Sequence, residues 1–151
     1  MKKALIAVLV PLVSAACGGG SDAEGDAMTE TAPAAATTAA PSVTISMPAD
    51  GSTVSGPSVM VHLETTVPIV PAGEMTAGTG HHHLYLDADL TPASEPVPTV
   101  PGSIVHMGDA SAMFTFDSVP PGEHRLIAVV ADGVHVPLQP WVVDTITFTV
   151  R

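Results

Sequence analysis

From Ser42 onward, apolar and polar residues alternate in short runs broken by Gly and Pro. Val43, Ile45 and Met47 alternate ahead of the turn Pro48-Ala49-Asp50-Gly51. Val59, Val61 and Leu63 form a second run, with Met60, His62 and Glu64 facing the other way. A period of two is the signature of a strand with one face in a core. The same pattern predicts a third strand over His82 to Asp87, a short fourth near Ser103 to His106 and a fifth over Ala112 to Asp117. A sixth runs from His124 to Ala131, ended by Asp132-Gly133, and a seventh from Val143 to Val150. In the seventh, Ile146, Phe148 and Val150 share one face and Thr145, Thr147 and Thr149 the other. Helical periodicity is scarce, so the reading is all-β: about seven antiparallel strands in an immunoglobulin-like β-sandwich over residues 42–151. The stretch Val119-Pro120-Pro121-Gly122-Glu123-His124-Arg125-Leu126 resembles the turn into the sixth strand of many bacterial immunoglobulin-like domains.

The first 41 residues lack this pattern. Lys2 and Lys3, the apolar run Ala4 to Val13, and small Ser14, Ala15 and Ala16 read as a signal peptide over residues 1–16. The apolar run is too short to span a bilayer permanently. Cys17 is the only cysteine, so no internal disulfide is available. Small residues before it and Gly18-Gly19-Gly20-Ser21 after it resemble the lipobox and tether of bacterial lipoproteins. Ser14 stands where leucine is usual, and Ser14 with Ala16 also suits ordinary cleavage, which would leave a secreted protein with one free thiol. The rest of residues 17–41, with its Ala- and Thr-rich run, has no pattern able to bury a core and reads as a flexible linker. A lipid on Cys17 would make the membrane a partner and place the domain in the periplasm or at the cell surface.

With the signal removed, Arg125 and Arg151 are the only basic side chains apart from histidine, in a chain whose formal net charge is −11. Nucleic acid and anionic lipid surfaces require clustered Lys or Arg, so both are excluded as charge-driven partners. Cations, metal ions included, are favoured in a general way.

The histidines carry the candidate chemistry. On the third strand, His81, His83, Tyr85 and Asp87 point one way and His82, Leu84 and Leu86 the other. Leucines suit the core, so His81 and His83 are expected to project together away from it. In an up-and-down count, the loops after the second, fourth and sixth strands lie at one end of the sandwich. They bring His81 and His83, His106 with Met107, and His135 to that end as candidate metal ligands, with His82, His124 and Met107 as weaker members. His124 is expected at the opposite end, and His62, beside Met60 and Glu64, to be solvated. Three or four neutral imidazoles suit copper or zinc. A thioether from Met107, Met75 or Met113 would tilt the choice to copper. The alternative is that the histidines only brace loops through hydrogen bonds, as in a structural or adhesive envelope domain.

At these same residues the chain resembles the bacterial domain-of-unknown-function family numbered 4399, from about Val43 to Val150. The resemblance rests on Pro48-Ala49-Asp50-Gly51, Gly78-Thr79-Gly80-His81-His82-His83-Leu84, His106, Pro121-Gly122-Glu123-His124, Asp132-Gly133-Val134-His135-Val136-Pro137 and Ile146-Thr147-Phe148-Thr149-Val150. It implies an exported domain with recurring histidine positions and brings no activity with it. No Gly-x-Ser-x-Gly elbow, phosphate loop or cysteine nucleophile occurs in the domain, so the reading is not an enzyme. A metal-dependent enzyme would need Asp87, Asp109 or Glu74 beside an open coordination position. Aromatic stacking platforms for sugars are scarce, with Trp141 and Tyr85 the main candidates, so a small-molecule substrate is not expected. No feature of the sequence identifies a protein partner.

Overall fold

The alternation seen in the sequence becomes alternating burial. In the computed structural model, which describes residues 39–151, β1 (Val43–Met47) buries Val43 and Ile45, and β3 (Val59–Thr65) buries Val59, Val61 and Leu63. The remaining strands are β2 (Ser52–Val54), β4 (His81–Leu86), β5 (Ile104–Met107), β6 (Met113–Phe116), β7 (Gly122–Ala131) and β8 (Val143–Val150). The signal-peptide and Cys17 readings, and most of the linker, lie outside the described residues. Among the described residues there is no helix, and so none long and apolar enough to cross a membrane.

The eight strands form two sheets, β1-β3-β6 and β2-β8-β7-β4-β5. The strand missed by the sequence reading is β2, and it pairs parallel to β8 where all pairs were expected to be antiparallel. Three residues are too few to display a period, and a parallel neighbour leaves no hairpin turn to betray it. The turn before β2 is held by Asp50, whose carboxylate accepts from the Thr147 N–H at 2.9 Å. Gly51, at φ 71°, takes a backbone conformation that other residues resist.

One core lies between the sheets. It joins Val59, Val61, Leu63 and Phe116 of the smaller sheet to Leu84, Leu126, Ala128, Val130, Ile146 and Phe148 of the larger. A second, smaller core covers the other face of the larger sheet, where Tyr85, Ile104, Ile127 and Val129 pack with Val97 and, in part, Trp141. The Tyr85 hydroxyl meets Thr91 Oγ1 at 3.0 Å across that face. Hence β4 is buried along its whole length, on both faces. The expectation that His81 and His83 look outward is right about the face and wrong about exposure. Both rings are fully buried, because chain outside the strands folds over that face.

Candidate metal centre

Register brings the histidines together. His83 of β4 stands directly opposite His106 of β5, and His81 opposite Ala131, the last residue of β7. The loop leaving β7 then carries His135 back over them. One nitrogen from each of His81, His83, His106 and His135 lies within 4.8 Å of the others. The six ring pairs have centroids 4.6–5.5 Å apart, so no side chain separates them.

The contacts inside the cluster do not satisfy the rings. His81 Nε2 lies 3.0 Å from His83 Nε2 and 3.1 Å from His135 Nδ1. A neutral imidazole nitrogen has either one proton or one lone pair in the ring plane, so a good bond to one neighbour excludes the other. His81 Nδ1, His83 Nδ1 and His106 Nε2 are buried without any hydrogen-bond partner. Each such atom costs roughly 1–3 kcal/mol if nothing satisfies it. Protonation cannot resolve the conflict at neutral pH. Burial first, then the charges of His106 and His135, lower His81 to about 4, despite an opposing pull from Asp132. Burial, then His81, His106 and His135, lowers His83 to about 3. Burial and then His135 lower His106 too. Four imidazoles with a nitrogen of each brought together are the donor set of a transition-metal ion, so the residues present fit such an ion.

Features the sequence reading passed over hold this arrangement. The Asp132 carboxylate accepts from the N–H groups of Val134 at 3.0 Å and Val136 at 2.9 Å, and the Asp132 carbonyl accepts from the His135 N–H at 2.9 Å. His135 sits at φ 69°, a left-handed backbone that costs a non-glycine residue roughly 1–2 kcal/mol. The loop enforces that conformation and so aims the ring. An aspartate opening a tight Asp-Gly turn is the signal that could have found this anchor. The segment before β4 closes the mouth through Ala72 N–H to Gly108 carbonyl (3.0 Å), Gly73 to Gly133 (3.2 Å) and Val70 to Gly80 (2.9 Å). A side chain at Gly108 would meet His106 Cε1 at 2.6 Å, and one at Gly133 the Glu74 carbonyl at 2.2 Å. Both glycines are therefore required by close approach.

The weaker candidates go elsewhere. His82 faces the main core, where its Nδ1 donates to the Ser111 carbonyl at 3.1 Å. Met107, one residue from His106, is on the opposite face by the same parity and is buried in the main core. Met75 and Met113 are exposed. None of these supplies the thioether that would have tilted the choice to copper. His124 is at the other end of β7, with Nδ1 at 2.6 Å from Asp87 and Nε2 at 2.8 Å from the Pro120 carbonyl. Asp87 is thereby committed to His124 and not to the cluster. His62, expected to be solvated, is half-buried and contacts Ser46.

A model of the domain of unknown function DUF4399 matches residues 59–151. No curated protein matches the chain. Among solved structures, the endo-β-1,4-mannanase from Thermotoga petrophila is similar at 14% identity and a TM-score of 0.44, over 74% of this chain and 20% of that one. An engineered protein is similar at 11% identity and a TM-score of 0.41, with the same coverage. The chain thus spans about a fifth of the length of either, and likenesses this distant say nothing of function.

Proposed function

The chain belongs to the DUF4399 family of domains without an assigned function, and from that premise we propose that it is a transition-metal-binding module of the cell envelope, copper more than zinc. The observation that carries this is the meeting of four imidazoles, with nitrogens as close as 3.0 Å and buried ring nitrogens left without partners. Histidines that merely brace a fold are bonded to backbone or carboxylate, as His124 is at both ring nitrogens and His82 at Nδ1 alone. At the centre, His81 bonds only with His83 and His135, and the His106 ring has no hydrogen-bond partner at Nε2.

Copper is favoured by the donor set. Imidazole sites bind Cu(II) more tightly than the neighbouring divalent ions, and Cu(II) accepts tetragonal nitrogen ligation. The export signal and a lipid on Cys17 complete the proposal, holding the domain at a membrane on a flexible linker. The immunoglobulin-like reading is supported by the strand orders β1-β3-β6 and β2-β8-β7-β4-β5, in which β1-β3-β6 follows the A-B-E order and β8-β7-β4 the G-F-C order of such sandwiches.

The test is titration of the metal-free protein with Cu(II), Cu(I) and Zn(II) against competing chelators, beside a His81→Ala/His83→Ala variant. Tight one-to-one binding that the variant loses is expected, with Cu(II) preferred over Zn(II). Weak or non-stoichiometric binding that the variant shares would overturn the proposal and leave the bracing role.

A further inference from the structure

The outward face of the three-stranded sheet presents a different donor set. Alternation along β3 turns Met60, His62 and Glu64 away from the core. Register places Met47 of β1 and Met113 of β6 directly on either side of His62, with Thr115 opposite Met60. Met47 arrives there because the pairing shifts between Ile45 and Met47, an extra residue that re-aims the strand. Directly opposed side chains in a sheet start about 4.5–5.5 Å apart and diagonal ones roughly 7–8 Å, which long, flexible thioethers span. Three of the chain's seven methionines thus surround one imidazole on an open face, at exposures of 43%, 43% and 52% for Met47, Met60 and Met113. Methionine ordinarily fills interiors, so this grouping calls for a reason.

The His62 ring is also anchored at Nδ1 by a hydroxyl. Ser46 Oγ lies 2.7 Å from His62 Nδ1 and 3.2 Å from the His62 carbonyl. With the hydroxyl proton given to that carbonyl, the hydroxyl oxygen accepts from Nδ1–H and the Nε2 lone pair is the one offered to an ion. An oxygen that takes the proton of the far nitrogen is the support that metal-bound histidines ordinarily have. Glu64, next along the same face, adds negative charge.

We infer that Met47, Met60, His62 and Met113 form a second, surface site for a soft monovalent ion, Cu(I) in nature. Thioethers select such ions and discriminate against Zn(II), whereas the buried cluster on the other sheet offers only nitrogen. The inference stands independently of what that cluster binds.

The test uses the full chain carrying Cys17→Ser, so that its one thiol does not compete, labelled at the methionine methyls and titrated with Ag(I) as a redox-inert stand-in. At one equivalent the methyl resonances of Met47, Met60 and Met113 should shift together while that of buried Met107 does not, and excess Zn(II) should not reverse the shifts. Met47→Leu/Met60→Leu/Met113→Leu, which keeps the volume of exposed side chains, should abolish binding at this face. Ser46→Ala should weaken it roughly tenfold or more by releasing the ring. Unshifted methyls, displacement by Zn(II), or affinity unchanged in the triple-leucine variant would each overturn the inference. Because each methyl reports its own side chain, failure of the buried cluster to bind metal would not produce any of these results.

Discussion

Two histidine neighbourhoods lie at opposite ends of β4 and β7, and they use the same side chain to opposite effect. At one end, His81, His83, His106 and His135 have mainly each other for company. At the other, His124 is held between the Asp87 carboxylate and the Pro120 carbonyl, both obligate acceptors. Two acceptors are both satisfied only by the doubly protonated ring, so they favour the charged form of His124. Burial works against its charge, but the Asp87 hydrogen bond, the Pro120 carbonyl and the Asp87 charge together raise it. The cluster has no comparable acceptors, and burial holds His81, His83 and His106 below the ordinary histidine value. What a buried histidine does is therefore decided by its partners: the His124 end is internally satisfied, and the cluster end is not.

The sharpest way to break this contrast is to supply the ion. A ligand that binds only the folded state at a thousandfold excess over its Kd stabilises by about 4 kcal/mol. Saturating Cu(II) should therefore raise Tm and the denaturant midpoint of the wild-type protein, while His81→Ala/His83→Ala should show no such rise. His124→Gln should lower the starting stability and keep the full metal-induced increase. An equal response in the wild type and the His81/His83 variant would show that the two ends do not differ in this way.

The next effect separates the ends by pH in the metal-free protein. His81 and His83 have lowered folded values, so their contribution is present above the ordinary histidine value of 6.5 and is lost as pH falls toward about 4 and about 3, where the unfolded chain takes protons that the fold refuses. His124 has a raised folded value, so its contribution is complete below 6.5 and is lost as pH rises through that raised value. Asp87→Asn should remove the alkaline decline and leave the acid decline intact. Asparagine also tolerates the left-handed backbone of position 87, at φ 54°. A hydrogen bond to a charged group contributes about 1.5–3 kcal/mol. Asp87 is half exposed, so the lower end is expected at pH 6. Unfolding free energies from pH 4 to 8 for both proteins decide the matter. An acid decline that moved with Asp87→Asn would mean that the ends are coupled.

How much of this was legible in the sequence follows from what period two can and cannot carry. It carried seven strands and the shared face of His81 and His83, and loop parity carried the approach of His106 and His135. The same rule applied to Met107 would have sent it to the core, since a neighbour on a strand faces the other way. Proximity in sequence drew it into the site instead. The burial of His81 and His83 was not legible, because irregular segments fold over that face and an irregular segment leaves no periodic trace. Nor was β2, whose three residues gain their meaning only beside β8. The bond between His124 and Asp87 was hidden by a separation of 37 residues, although both positions were marked.

The smallest of the expected effects tests how far the cluster depends on its loop. Asp132 acts in two ways: its carboxylate organises the turn that aims His135, and its charge reaches His81 and favours a positive charge there. Asn and Ala separate these roles. Asp132→Asn keeps an oxygen for the Val134 and Val136 N–H groups and removes only the charge, whereas Asp132→Ala removes both. Loss of a group that orients a ligand typically weakens metal binding 10–100-fold, so Asp132→Ala should lose about tenfold in Cu(II) affinity, or about 1.4 kcal/mol. Asp132→Asn should recover most of it if aiming dominates, and should match alanine if charge does. The His124 end gives the control, because neither variant should alter the alkaline decline that Asp87 and His124 produce. Affinities by chelator competition, read beside that decline, therefore show whether His135 is aimed by its own loop or merely rests where the sheet leaves it. Equal wild-type affinity in both variants would mean that the β4 and β5 histidines fix the site without the loop.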